Sequence, residues 1–125
     1  LVEQMGGPST PGVGLAAGIE RLSMLIGDTP AKQRPIAVIP MGAAAETAGL
    51  RLTEDLRRAG YIVDMGYRGK MKQRMKRANT INASVAVILG DDELAQSSTT
   101  LRDLDSGEQE LVALDDLRDR LEQFR

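Results

Sequence analysis

From residue 36 onward, short apolar runs alternate with helical periodicities, and this alternation defines the architecture. Ile36, Ala37, Val38 and Ile39 form an unbroken apolar run between Pro35 and Pro40, the pattern of a strand buried on both faces. Ala45, Ala48, Leu52, Leu56 and Ala59 then recur at helical spacing over residues 43–59, with Gly60 placed to stop the helix. Gly49 interrupts that helix at a cost of up to about 1 kcal/mol relative to Ala. Tyr61–Met65 predicts a second strand, residues 70–79 a basic helix with Met71, Met75 and Ala78 inward, and Val85–Leu89 a third strand. Strands alternating with helices at these lengths imply parallel pairing through right-handed crossovers. The pattern then changes. Thr99–Leu104 and Gln109–Val112 flank Asp105-Ser106-Gly107-Glu108, a hairpin signal. Leu114, Leu117, Leu121 and Phe124 line one face of a closing helix whose first turn holds Asp115 and Asp116. The reading is a mixed α/β domain of five strands and three helices.

The first 29 residues follow another pattern. GGPSTPGVGLAAG is rich in Gly and Pro, and IERLSMLIG places Ile19, Leu22 and Ile26 on one helical face before a stop at Gly27. DTPAKQRP, residues 28–35, has the composition of a linker, with two prolines opposing helix. The expected boundary falls there.

Composition narrows the chemistry. The 125 residues suffice for one domain with a single core. With no Cys and no His, the chain lacks disulfides, thiolates, imidazole bases and the usual transition-metal ligands. Two Tyr and one Phe are the only aromatics, so the core must be aliphatic. No apolar stretch approaches a membrane span, and no signal peptide is visible. A chain starting at Leu1 without an initiator Met reads as a piece of something longer.

Net charge is −2, but its distribution is segmented. Residues 66–90 carry six basic side chains (Arg68, Lys70, Lys72, Arg74, Lys76, Arg77) and no acid, whereas residues 91–125 carry eleven acids and four bases. The cluster reads either as a solvated helix face or as a contact to a phosphate backbone, favoured by counterion release.

In an open parallel sheet, ligands gather beyond the carboxyl ends of the strands. Three segments are expected there: Pro40-Met41-Gly42, Gly66-Tyr67-Arg68-Gly69 and Gly90-Asp91-Asp92-Glu93. The first reads mainly as a tight strand-to-helix turn, and the acidic cluster is a weak cation signal without a spaced partner ligand. Gly12-x-Gly14 follows no strand and lacks a third glycine, which excludes a dinucleotide fingerprint. To this point a flavodoxin-like domain of the response-regulator or small-ligand kind fits almost as well.

Two stretches carry a family likeness. GGPSTPGVGLAAGIERLSMLI resembles motif 3 of class II aminoacyl-tRNA synthetases in its histidyl form, where a Gly-rich strand enters a helix. Arg21 matches the motif's arginine, which in that family contacts ATP phosphates, as suits a forked permanent cation. Gly14 and Gly18 match its small positions. The strings AVIP, LRRAGYIVD, KMKQRMKRAN, VAVILGDDEL and LRDLDSGEQE resemble, in order and spacing, the anticodon-binding domain shared by histidyl-, threonyl-, prolyl- and glycyl-type synthetases, and DLDSGEQ looks histidyl.

The resemblance implies a motif 3 strand–helix remnant over residues 1–29, a linker over 30–35 and, over 36–125, a mixed five-stranded sheet with three helices. It implies a parent histidine–tRNA ligase using ATP with Mg²⁺, cytoplasmic and homodimeric, with this piece alone neither catalytic nor holding a cofactor or metal. Glu93 matches a glutamate that accepts from an anticodon base, and Arg102 a basic anticodon contact. Met41 stands where some relatives have a polar base-reading residue, and Arg68 and Lys70 suit phosphate contacts. A carboxylate and a guanidinium together suit a splayed single-stranded loop. Away from the catalytic segments, Leu22, Leu25 and Ile26 are expected to be exposed. The competing readings are a synthetase-like regulatory subunit, a threonyl-, prolyl- or glycyl-type synthetase, and a free-standing small-ligand module.

Overall fold

The computed structural model describes residues 1–27 and 32–125, so residues 30 and 31 of the expected linker at 30–35 lie outside the described residues. The chain divides into two compact units between residues 31 and 32.

In the first unit, a 3-10 turn at Glu3–Met5 is followed by irregular backbone and then by α1 (Ile19–Ile26), ended by Gly27 at φ 70°. The expected glycine-rich strand before α1 is not formed. A strand needs a ladder partner for its N–H and C=O groups, and none among the described residues supplies one. Leu22, Leu25 and Ile26 of α1 are exposed, as the pattern implied.

The second unit runs β1 (Ile36–Met41), α2 (Ala43–Arg58), β2 (Val63–Met65), α3 (Met71–Thr80), β3 (Val85–Gly90), α4 (Asp91–Ala95), β4 (Ser98–Asp103), β5 (Gln109–Ala113) and α5 (Leu117–Leu121), closing with a 3-10 turn at Glu122–Phe124. The strands form one sheet in the order β2-β1-β3-β4-β5. The first three are parallel; β4 pairs antiparallel with β3 and with β5. One face, with Val38, Val87, Leu89 and Leu101, packs under α2 and α5. The other, with Ala37, Ile39 and Ala86, packs under α3 through Met71, Met75 and Ala78.

Several elements differ from the pattern-based expectation. The second strand begins at Val63, because Tyr61 is buried in the core with its hydroxyl donating to Glu122 (2.7 Å) instead of pairing in a ladder. The acidic turn is helical: Asp91, Asp92 and Glu93 fill the first turn of α4, where the dipole favours them, and make a fourth helix in this unit. The closing helix is shorter than expected. Leu114 is held to Ser97 by a backbone bond (2.9 Å), so the chain turns through Leu114–Asp116 and Asp115 stays outside α5, with Asp116 as its N-cap.

Gly49 has a packing reason. It is buried in α2 against β1, and a Cβ there would meet Pro40 Cβ at 3.1 Å and Cγ at 3.3 Å. The proline ring cannot swing aside, so Gly49 sets how closely α2 lies on the sheet. Gly49→Ala is therefore expected to destabilise by about 1 kcal/mol despite its gain in helix propensity, since overpacking typically costs about 1–3 kcal/mol. Chemical denaturation measures this, and a stabilised variant would contradict the close-approach account.

Acid sensitivity follows from four carboxylates held below their ordinary range. Arg77 lowers Asp64, backbone N–H groups of Ser106 and Asp105 lower Asp103, Arg34 lowers Asp105, and the Tyr61 hydroxyl lowers Glu122. A depressed carboxylate contributes stability that is present above its unfolded value and lost as pH falls through its folded one. Melting temperature is thus expected to hold near neutrality and fall below about pH 4. The Asp105→Asn variant should show a shallower acid fall than the parent.

Candidate nucleic-acid interface

The carboxyl ends of β1 and β3 meet at Met41, which is in register with Gly90. Gly42, at φ 122°, turns the chain into α2, and a Cβ there would lie 2.5 Å from the Asp91 carboxylate. Asp91 therefore abuts the N-terminal end of α2, where negative charge is favoured. Beside it, the Glu93 carboxylate occupies the space a side chain at Gly90 would fill, with a Cβ there falling 2.3 Å from Glu93 Oε2. Thr100 Oγ1 donates to Glu93 Oε1 at 3.4 Å. Thr100 and Arg102 pair across the sheet with Ile88 and Ala86, so both lie on the α3 side of the sheet.

The α3 helix covers only the β1–β3 half of that side. Over β4 and β5 the face is open: Leu111, opposite Thr100, is 61% exposed, and Gln109 opposite Arg102 is exposed. Glu93 and Arg102 thus address the same open surface. Arg102 is set back from the carboxyl edge by the four residues separating Ala86 from Gly90, roughly 13 Å of strand.

The basic segment is less uniform than its sequence. Arg74 is only 7% exposed. Its Nε donates to Gly69 O at 2.8 Å, Nη1 to Pro40 O, and Nη2 to Glu46 Oε1 at 3.3 Å. Gly66 makes room for it, since a Cβ there would lie 3.3 Å from Arg74 Cβ. Arg77 grips Asp64 in a two-pronged pair at 2.8 and 2.7 Å. Arg68, Lys70, Lys72 and Lys76 are exposed and enter no ion pair among the described residues. Arg74 was detectable in the sequence: positions 71, 74, 75 and 78 form one helical face, so the fourth cation of the cluster points inward.

The structure therefore brings Met41, Glu93 and Arg102 to one side of the sheet and ties the loop of Arg68 and Lys70 to the end of β1. Arg21 is exposed on α1 in the other unit. Thr100, Gln109 and Leu111 of the open face carried no recognisable motif. Among the described residues, no group of three or more acidic side chains is arranged to hold a metal ion, Asp91-Asp92-Glu93 included. No described helix is long and apolar enough to cross a membrane.

An open sheet face beside a pinned cationic loop defines a mixed α/β domain with a half-uncovered sheet, and comparison narrows this. Residues 35–124 match the family described as anticodon binding domain, and the chain belongs to that family. It is 52% identical over 125 residues to the histidine–tRNA ligase of Rhodospirillum rubrum, covering 99% of this chain and 30% of that protein. With the Gluconacetobacter diazotrophicus histidine–tRNA ligase it shares 50% over 115 residues, 92% of this chain and 28% of the relative. The chain thus spans less than a third of these relatives. Among solved structures, histidyl-tRNA synthetase from Nostoc sp. superposes with TM-score 0.68 at 29% identity, covering 83% of this chain and 26% of that one. The apo Staphylococcus aureus histidyl-tRNA synthetase gives 0.67 at 27%, covering 86% and 32%.

The loop's geometry depends on Arg74. Arg74→Met, which keeps the stem and removes the donors, strands the Pro40 and Gly69 carbonyls and is expected to cost about 3 kcal/mol. It should also speed amide hydrogen exchange at Gly66, which donates to Val38 O at 2.9 Å. Unchanged exchange there would show that the loop is held by other means.

Proposed function

We propose that this chain is the tRNA-holding end of a histidine–tRNA ligase, with residues 36–125 binding the anticodon arm of a histidine-type tRNA. The observation that carries the reading is the family match over residues 35–124, on a fold whose open face bears Glu93 and Arg102. Residues 1–29 are read as the end of a class II catalytic domain, carrying motif 3, and 30–35 as the linker to the anticodon-binding domain. In the parent enzyme, which uses ATP with Mg²⁺, acts in the cytoplasm and works as a homodimer, Arg21 contacts ATP phosphates as a fixed cation with forked donors. The residues that would complete an ATP site are not among those of this chain, so it is not expected to aminoacylate alone. Similarity to named ligases at about half of all positions supports this reading, and no observation favours a regulatory subunit.

On the open face, Glu93 accepts from the amino or imino edge of a splayed base, and Arg102 donates to base acceptors or phosphate. Met41 offers apolar contact. Arg68 and Lys70 neutralise phosphates and draw the arm in. The test is equilibrium binding of the full chain to a synthetic anticodon stem–loop of histidine tRNA across a salt series. Combined reversal of Arg68, Lys70 and Arg102 to Glu is expected to weaken binding at least about tenfold and flatten the salt dependence, each lost phosphate contact removing about 0.7 from its slope. Equal binding by parent and reversed chain would sink the site assignment.

A further inference from the structure

A cleft of about 630 Å³ lies beside the edge strand β2, opening at the carboxyl edge near Ala43 and Tyr67 and running down between α2 and β2. One wall is Leu50, 63% exposed, and the other is Met65 with Tyr67. Of the chain's three aromatic rings, Tyr61 is buried and Phe124 half-buried, but Tyr67 is 69% exposed. Its backbone is nevertheless fixed on both sides. Gly66 N–H bonds to Val38 O at 2.9 Å, and Gly69 O receives Arg74 Nε at 2.8 Å. An exposed ring on a pinned loop, with cations at Arg68 and Lys70 just beyond it, is the combination that single-stranded nucleic acid recognises: a stacking surface beside charge for the backbone.

The cleft also holds a group suited to the edge of a base. Glu46 lines it, and only its Oε1 is engaged, by Arg74 at 3.3 Å. The other acid there, Asp64, is already held by Arg77. The free oxygen of Glu46 is the acceptor that an amino or imino edge requires.

We propose that this cleft receives one unstacked base of the same RNA loop, its face on Tyr67 and its polar edge toward Glu46. The proposal rests on the anticodon-arm reading above and adds a second contact point, across the end of β1 from the face of Glu93 and Arg102. The experiment measures binding of the full chain to the histidine-tRNA anticodon stem–loop, intact and with each loop base in turn replaced by an abasic site. Tyr67→Ala is expected to weaken binding of the intact loop about tenfold, while Tyr67→Phe, which keeps the ring, binds as the parent does. At one loop position the abasic RNA should bind parent and Tyr67→Ala equally, because the stacking partner is gone. Unchanged melting of both variants shows that the ring has no folding role to lose. Parent-like binding by Tyr67→Ala, or an equal loss for every abasic RNA, overturns the proposal. If Tyr67→Ala binds normally while the reversed Arg68, Lys70 and Arg102 chain does not, the cleft is refuted and the anticodon-arm reading stands. No binding by the parent removes both.

Discussion

The Arg74 guanidinium is the interaction on which the carboxyl edge of this sheet depends. In β1, Ile36 N–H bonds to Ile62 O and Val38 O accepts from Gly66 N–H, so alternate residues of β1 face β2. Pro40 is the next in that series. Its register partner is missing because the β1–β2 pairing ends at Val38 with Met65, so its absent N–H costs nothing. Its carbonyl is still an obligatory acceptor, and Arg74 Nη1 takes it. One buried cation thus substitutes for the missing strand, while its other two nitrogens hold the β2–α3 loop through Gly69 and reach α2 through Glu46. A proline that would disqualify a central strand becomes the point where strand, loop and helix are tied together.

The same constraint explains which parts of the molecule were legible in its sequence. β1 and β3 were readable because burial on two faces demands apolar runs, whereas β4 and β5, each half-exposed, were readable from the turn between them. The positions of α2 and α3 followed from helical spacing. What escaped was decided by non-local contact. Gly49 looked like a flaw in a helix until Pro40 lay 3.1 Å away from where its Cβ would stand. Tyr61 looked like strand until its hydroxyl found Glu122, sixty-one residues on. Asp91–Glu93 looked like a loop because five residues are too few to show a period. Of the candidate site, the edge was readable from topology; Glu93 and Arg102 were nominated by resemblance, and Arg68 and Lys70 by the run of cations. The open face over β4 and β5 was not, because openness depends on where α3 stops.

Charge tells a related story. A run of six cations without an acid invites the inference that all six face a polyanion, and the fold divides them instead. Arg74 is consumed inside, Arg77 is matched to Asp64, and four remain on the surface. Arg34 behaves like Arg74 at the opposite end of the strands: it donates to the Asn82 and Ala83 carbonyls at 3.0 and 2.9 Å and grips Asp105 in the β4–β5 turn. Arg57 likewise donates to the Val63 carbonyl at 2.8 Å, so arginine is used three times for holding backbone, which its fork of donors suits. The lysines, compact and strongly hydrated, are left at the surface for longer-range attraction.

The first unit obeys the opposite logic. None of its described residues is buried, although Ile19, Leu22 and Ile26 share one face of α1. Isolated helices shorter than about 12–15 residues are marginal in water even for favourable sequences, and α1 has eight residues. Its apolar stripe is left exposed, with Ile19 80%, Leu22 49% and Ile26 71% accessible. The same holds for the glycine-rich backbone before it, which lacks a ladder partner. The second unit is explained by its own contacts, down to the carbonyl of Pro40; the first has an apolar periodicity but buries none of its described residues.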